Sequence, residues 1–88
     1  MTNGFYNVLF REEPEGGFTA IVPTLPGCVT YGRTLEEAKR MASDAIEIYL
    51  ISLRKHGEPV PTDESTFYAP VRLRPRTNIK KKRKAYAS

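Results

Sequence analysis

The chain holds a single cysteine, Cys28, and a single histidine, His56. One thiol excludes an intrachain disulfide and fits a reducing cytoplasm, where we place the protein. One Cys and one His fall short of the three or four ligands that a zinc site takes. No apolar run approaches the roughly 20 residues needed to cross a membrane. The N-terminal stretch "MTNGFYNVLFREEPEGG" has no basic head followed by an apolar segment, which argues against secretion. Residues 72–88 lack any acid and carry eight Lys and Arg, a charge of +8. Residues 1–71 set six Lys and Arg against ten Asp and Glu, a net −4. The total of +4 therefore conceals an acidic body with a strongly basic end, and that asymmetry bears on partners.

What remains is one domain of 88 residues. A chain of this size buries only about 60–65% of its unfolded surface, so its own core is marginal and a homo-oligomer is expected to complete it. "FYNVLFR" (5–11) is rich in aromatic and branched residues and reads as a strand. "EEPEGG" is a hairpin turn, and "FTAIVP" (18–23) alternates, with Phe18, Ala20 and Val22 on one side and Thr19 and Ile21 on the other. "TLPG" makes a second turn before a short strand "CVTY" (28–31), and Gly32 is expected to free the backbone to leave the sheet.

Thr34 and Glu37 have the spacing of a capping box, in which hydroxyl and carboxylate each satisfy an orphan backbone N–H at a helix start. Leu35, Ala38, Ala42, Ala45, Ile46, Tyr49 and Leu53 then recur at steps of three and four, the stripe of a helix lying on a core. Gly57 suits the position just past its end. "GEPVPTDES" reads as a loop, and "TFYAPVRLR" (66–74) as a last strand whose Pro70 suggests an edge or bulge. The order is β-β-β-α-β, a two-layer α+β domain over residues 1–75 with one long helix on an antiparallel sheet, followed by a basic tail over 76–88. Met41, Ile48 and Ile51 fall on a second apolar arc of the helix, rotated from the core stripe, and are expected to contact a partner or another subunit.

The ordered series from the Gly-Gly hairpin through "LPGCVTYG", "TLEEA", the helix with Tyr49 and "GEPVP" resembles the N-terminal domain of HicB-type antitoxins, over roughly residues 5–61. The resemblance implies a partial ribonuclease-H-like α/β unit. It also implies a binding protein that covers the active site of a small, basic, mRNA-cleaving HicA-type toxin. The acidic body suits that role, because opposite charge speeds and orients docking. Many relatives also repress their own operon through a separate DNA-binding domain. After Pro61 this chain has no pattern of paired short helices, so neither a helix-turn-helix nor a ribbon–helix–helix is expected.

Neither Cys28 nor His56 reads as catalytic. A nucleophilic thiol needs a base or a positive field, whereas Cys28 opens an apolar strand and His56 sits at a helix end that welcomes a cation. A metal nuclease needs carboxylates converging from strand and helix. Here Glu12, Glu13 and Glu15 lie in a turn, and Glu36, Glu37, Asp44 and Glu47 lie on the helix. We therefore expect no catalytic residues, no metal and no cofactor. The alternative to an antitoxin is an oligomeric nucleic-acid-binding protein without a toxin partner. Arg72, Arg74 and Arg76 would line one face of a strand and grip a phosphate backbone together with Lys80, Lys81, Lys82, Arg83 and Lys84. Against this stands a solvated tail, or one that answers the acidic face of a neighbouring subunit.

Overall fold

The computed structural model describes residues 4–75. Strands β1 (Leu9–Glu12), β2 (Phe18–Ile21) and β3 (Val29–Gly32) precede one long helix, α1 (Leu35–Lys55). The strands form an antiparallel sheet in the order β1-β2-β3, with α1 laid across one face on β3 and β2, which is the expected α+β arrangement.

Turn chemistry sets the register. The Glu13 N–H donates to Gly17 O and the Gly16 N–H to Glu13 O, both at 2.9 Å, closing a short hairpin loop. Gly16 and Gly17 both take positive φ, +110° and +84°, which L side chains rarely adopt. In the second connection the Val22 N–H donates to Cys28 O at 3.0 Å, and the loop between them tucks Leu25 inward, fully buried. The pairing then places Phe10, Ala20 and Thr30 abreast towards the helix, and Leu9, Ile21 and Val29 abreast on the opposite face.

The helix begins and ends as its sequence dictates. Thr34 is extended (φ −123°, ψ 165°), and its Oγ1 accepts from the Glu37 N–H at 3.0 Å. The Glu37 carboxylate reaches back to the Arg33 N–H at 2.6 Å, one residue earlier than the usual box. At the far end the Glu58 N–H bonds Leu53 O and the Gly57 N–H bonds Arg54 O, with Gly57 at φ +67°, a Schellman stop. Of the expected stripe, Ala38 and Ala42 are buried, Ala45, Ile46, Tyr49 and Leu53 are half-buried, and Leu35 is exposed at the first turn.

Two expectations are corrected. Gly32 does not need unusual dihedrals; it is there for proximity, since a Cβ on it would sit 2.3 Å from the Ala38 backbone N. The strand expected over 66–74 does not form within the chain, which runs there without a sheet partner. A turn closed by the Thr66 N–H on Asp63 O at 3.1 Å precedes it, and the residues beyond are exposed. Strand β1 is also shorter than residues 5–11, because Tyr6 and Asn7 bond the segment after the helix. Gly32→Ala is expected to destabilise the fold by about 1–3 kcal/mol through overpacking against backbone that cannot yield. Gly4→Ala, in open space, should be near neutral, and denaturant melts of the two variants check the contrast.

Candidate functional site

The core holds few large side chains. Among the described residues Ala20, Val22, Leu25, Cys28, Ala38 and Ala42 are the buried apolar ones. Val22, Leu25 and Cys28 cluster beneath the helix, and the Tyr49 hydroxyl donates to Pro26 O at 2.8 Å, fastening the loop to α1. Burial pushes the Cys28 thiol pKa up, the opposite of what a nucleophile needs. The His56 ring lies at the helix end, its Nδ1 2.8 Å from Ser52 O. Among the described residues no three His, Cys, Asp or Glu side chains converge as a metal ion would require.

One buried carboxylate escaped the sequence reading, which placed it in a loop. Asp63 is fully buried. Its Oδ1 accepts from Thr24 Oγ1 at 2.6 Å and its Oδ2 from the Asn7 N–H at 2.7 Å. Tyr6 donates its hydroxyl to Pro61 O, and Asn7 Nδ2 donates to Thr66 O at 2.8 Å. Four chain segments are thereby stitched together: the N-terminal run, the β2–β3 loop, the post-helix strap and its exit turn. The Thr24 hydroxyl, and next the Asn7 N–H, hold the Asp63 carboxyl below the usual carboxylate range. The role is structural, and the only sequence signal was "PTDES", an acid among turn residues after two prolines.

Surfaces remain as the candidate site. On the outer arc of α1, Met41, Ile48 and Ile51 are 41%, 67% and 55% exposed. With Glu37 and Asp44 they follow one another along the helix at steps of four and three, and Lys55 ends the series, so the stripe combines apolar side chains with two acids and one base at its C-terminal end. Ile51 also borders a cleft of about 590 Å³ with Leu50, Arg54, Tyr6 and Val60. A second apolar area was not anticipated: Leu9 and Val29 flank Ile21 on the sheet face turned away from the helix, with Tyr31 exposed nearby. Strand alternation carried that signal, but it needed the register before three separate residues became one row. Arg72 and Arg74 are exposed on the extended segment beyond Thr66, whereas Arg76, Lys80, Lys81, Lys82, Arg83 and Lys84 lie outside the described residues. Among the described residues no helix is long and apolar enough to cross a membrane.

Residues 6–71 match the family described as HicB_like antitoxin of bacterial toxin-antitoxin system. A UPF0150 protein of Thermoplasma acidophilum is 40% identical over 60 residues, spanning 68% of this chain and 87% of its own length. A UPF0150 protein of Synechocystis is 42% identical over 59 residues, 67% of this chain and 75% of that protein. One from Helicobacter pylori is 37% identical over 62 residues, 70% and 86% of the two chains.

The pH dependence of the Asp63 junction has a definite sign. A carboxyl whose folded pKa is depressed stabilises the fold above its unfolded pKa, about 3.9, and that contribution is lost as pH falls through the lower folded value. Thermal melts between pH 6 and about pH 2 should therefore show a steeper acid decline for the wild type than for Asp63→Asn. Glu13, held low by the Thr19 hydroxyl and then by Arg11, titrates in both proteins and drops out of the comparison.

Proposed function

We propose, from the premise that this chain belongs to the HicB-like antitoxin family of bacterial toxin–antitoxin systems, that it binds and masks a small, basic, mRNA-cleaving HicA-type toxin in the cytoplasm. The work is done by contact, with no bond made or broken by the protein. The observation that carries this reading is the outer arc of α1, where Met41, Ile48 and Ile51 stand exposed in a stripe shared with Glu37 and Asp44. Apolar anchors supply most of the free energy of a protein contact, while surrounding charge steers the approach and selects the partner's sign. A toxin with a basic RNA-binding surface presents the complementary charge, and a masked surface no longer reaches its substrate.

Co-expression with a HicA-type toxin is expected to restore growth and yield a complex that survives purification. Ile48→Asp and Ile51→Asp should each weaken that complex about 30-fold, the equivalent of losing one anchor of ~2 kcal/mol. Raising salt should slow association more than it speeds release. A toxin that stays free, or a complex indifferent to both substitutions, would remove this arc from the interface.

A second reading draws on Arg72 and Arg74, exposed on an extended segment and continued in sequence by the basic run to Lys84. It takes the protein as a nucleic-acid binder that grips phosphates with little regard to sequence. Gel shifts of the full chain against a truncation after Pro75 separate the readings. A salt-sensitive shift that the truncation abolishes supports the tail, and equal shifts dismiss it.

A further inference from the structure

Among the described residues, the segment 67–74 pairs with no strand, and no strand covers the outer edge of β1. Beyond the turn at Asp63–Thr66, Phe67, Val71 and Leu73 are 79%, 81% and 84% exposed, the largest exposures of any bulky apolar residues described. Along 67–74 they alternate with the rest: Phe67, Ala69, Val71 and Leu73 on one face, Tyr68, Pro70, Arg72 and Arg74 on the other. Such a pattern belongs to a strand with one buried face.

The free edge of β1 has matching geometry. The hairpin bond between Glu13 and Gly17 makes Arg11–Thr19 and Leu9–Ile21 the hydrogen-bonded pairs of the antiparallel ladder. The N–H and C=O groups of Phe10 and Glu12 consequently point outward from the sheet, where no fourth strand among the described residues takes them. Between this edge and the helix lies a cleft of about 490 Å³ lined by Phe5, Val8, Phe10, Ala42 and Ile46. An antiparallel strand bonded to Phe10 carries its bonding residues' side chains on the same face as Phe10, over that cleft. If the bonding residues are Phe67, Ala69, Val71 and Leu73, their apolar side chains roof it. Pro70, which has no N–H, then falls on the outward side of the new edge, where no donor is needed. Backbone pairing, side-chain face and the position of the proline all agree on one register parity.

We infer that residues 67–74 are a donated strand, which adds to the β1 edge of a second copy and completes a four-stranded sheet in each subunit of a two-fold dimer. The second copy is the occupant, because residues 67–74 stay exposed and unpaired in their own chain, while the identical β1 edge of another molecule stands open. Reciprocal exchange satisfies both edges at once, as a closed two-fold contact requires. It covers Phe67, Val71 and Leu73 without using the outer arc of α1.

The test uses the full chain alone, without toxin, so its outcome is independent of the antitoxin reading. Light scattering after size exclusion is expected to give twice the chain mass. Leu73→Pro, which removes an inward N–H, and Val71→Asp, which charges the buried face, should each shift the protein to a single chain mass. Arg72→Pro, which removes an outward N–H, should leave the dimer in place. All three substitutions lie in the exposed segment, and unchanged far-UV circular dichroism over the helix shows that the body has folded. Amide exchange at Phe10 and Glu12 should be slow in the wild type and fast in Leu73→Pro. A dimer that survives Leu73→Pro and Val71→Asp overturns the proposal. So does a wild-type monomer, whether its Phe10 amide is protected by its own strand or left open.

Discussion

The structure is governed by a mismatch of lengths. Helix α1 has 21 residues and runs about 32 Å at 1.5 Å per residue, while each strand has four residues and spans only about 13 Å. Three such strands cannot cover one side of such a helix. The apolar stripe towards Tyr49 and Leu50 is covered instead by irregular chain: the Val22–Cys28 loop and the N-terminal run with Tyr6 and Val8. Irregular chain brings backbone groups that no ladder satisfies, and each needs a partner once water is excluded. Asp63 answers part of that demand as a buried acceptor for the Asn7 N–H and the Thr24 hydroxyl.

The same mismatch explains why so much apolar surface is left outside. The interior is built from alanines, one valine, one leucine and a cysteine, and Gly32 lets β3 press against the helix at Ala38. Small residues permit close approach but bury little area, which limits what the core alone contributes. The larger side chains, Leu9, Val29, Ile48, Ile51, Phe67, Val71 and Leu73, are spread over the far face of the sheet, the outer arc of the helix and the departing segment. In an antitoxin such an arrangement has a use. Leu9, Val29, Ile48 and Ile51 are held on strands and a capped helix, so a contact made through them costs little order.

Charge divides the labour further. Glu12, Glu13 and Glu15 surround the β1–β2 turn, α1 carries four acids against four bases, and eight of the fourteen bases lie beyond Val71.

Local chemistry made much of this readable in the sequence. Gly16, Gly17 and Gly27 adopt the positive φ that turns require, Thr34 and Glu37 start the helix, and Gly57 stops it. The family resemblance rested on the same punctuation, and the match over residues 6–71 agrees with it. Each of these features depends on residues a few positions apart, so sequence proximity was enough to show them. The role of Gly32, the burial of Asp63 and the apolar row from Leu9 to Val29 depended on segments up to 56 residues apart meeting in space. The last segment shows the division: alternation and Pro70 suggested an edge strand, but over residues 66–74 the chain forms no ladder of its own. Propensity is written residue by residue, whereas a ladder needs a second strand, and only the tertiary structure decides where that strand stands.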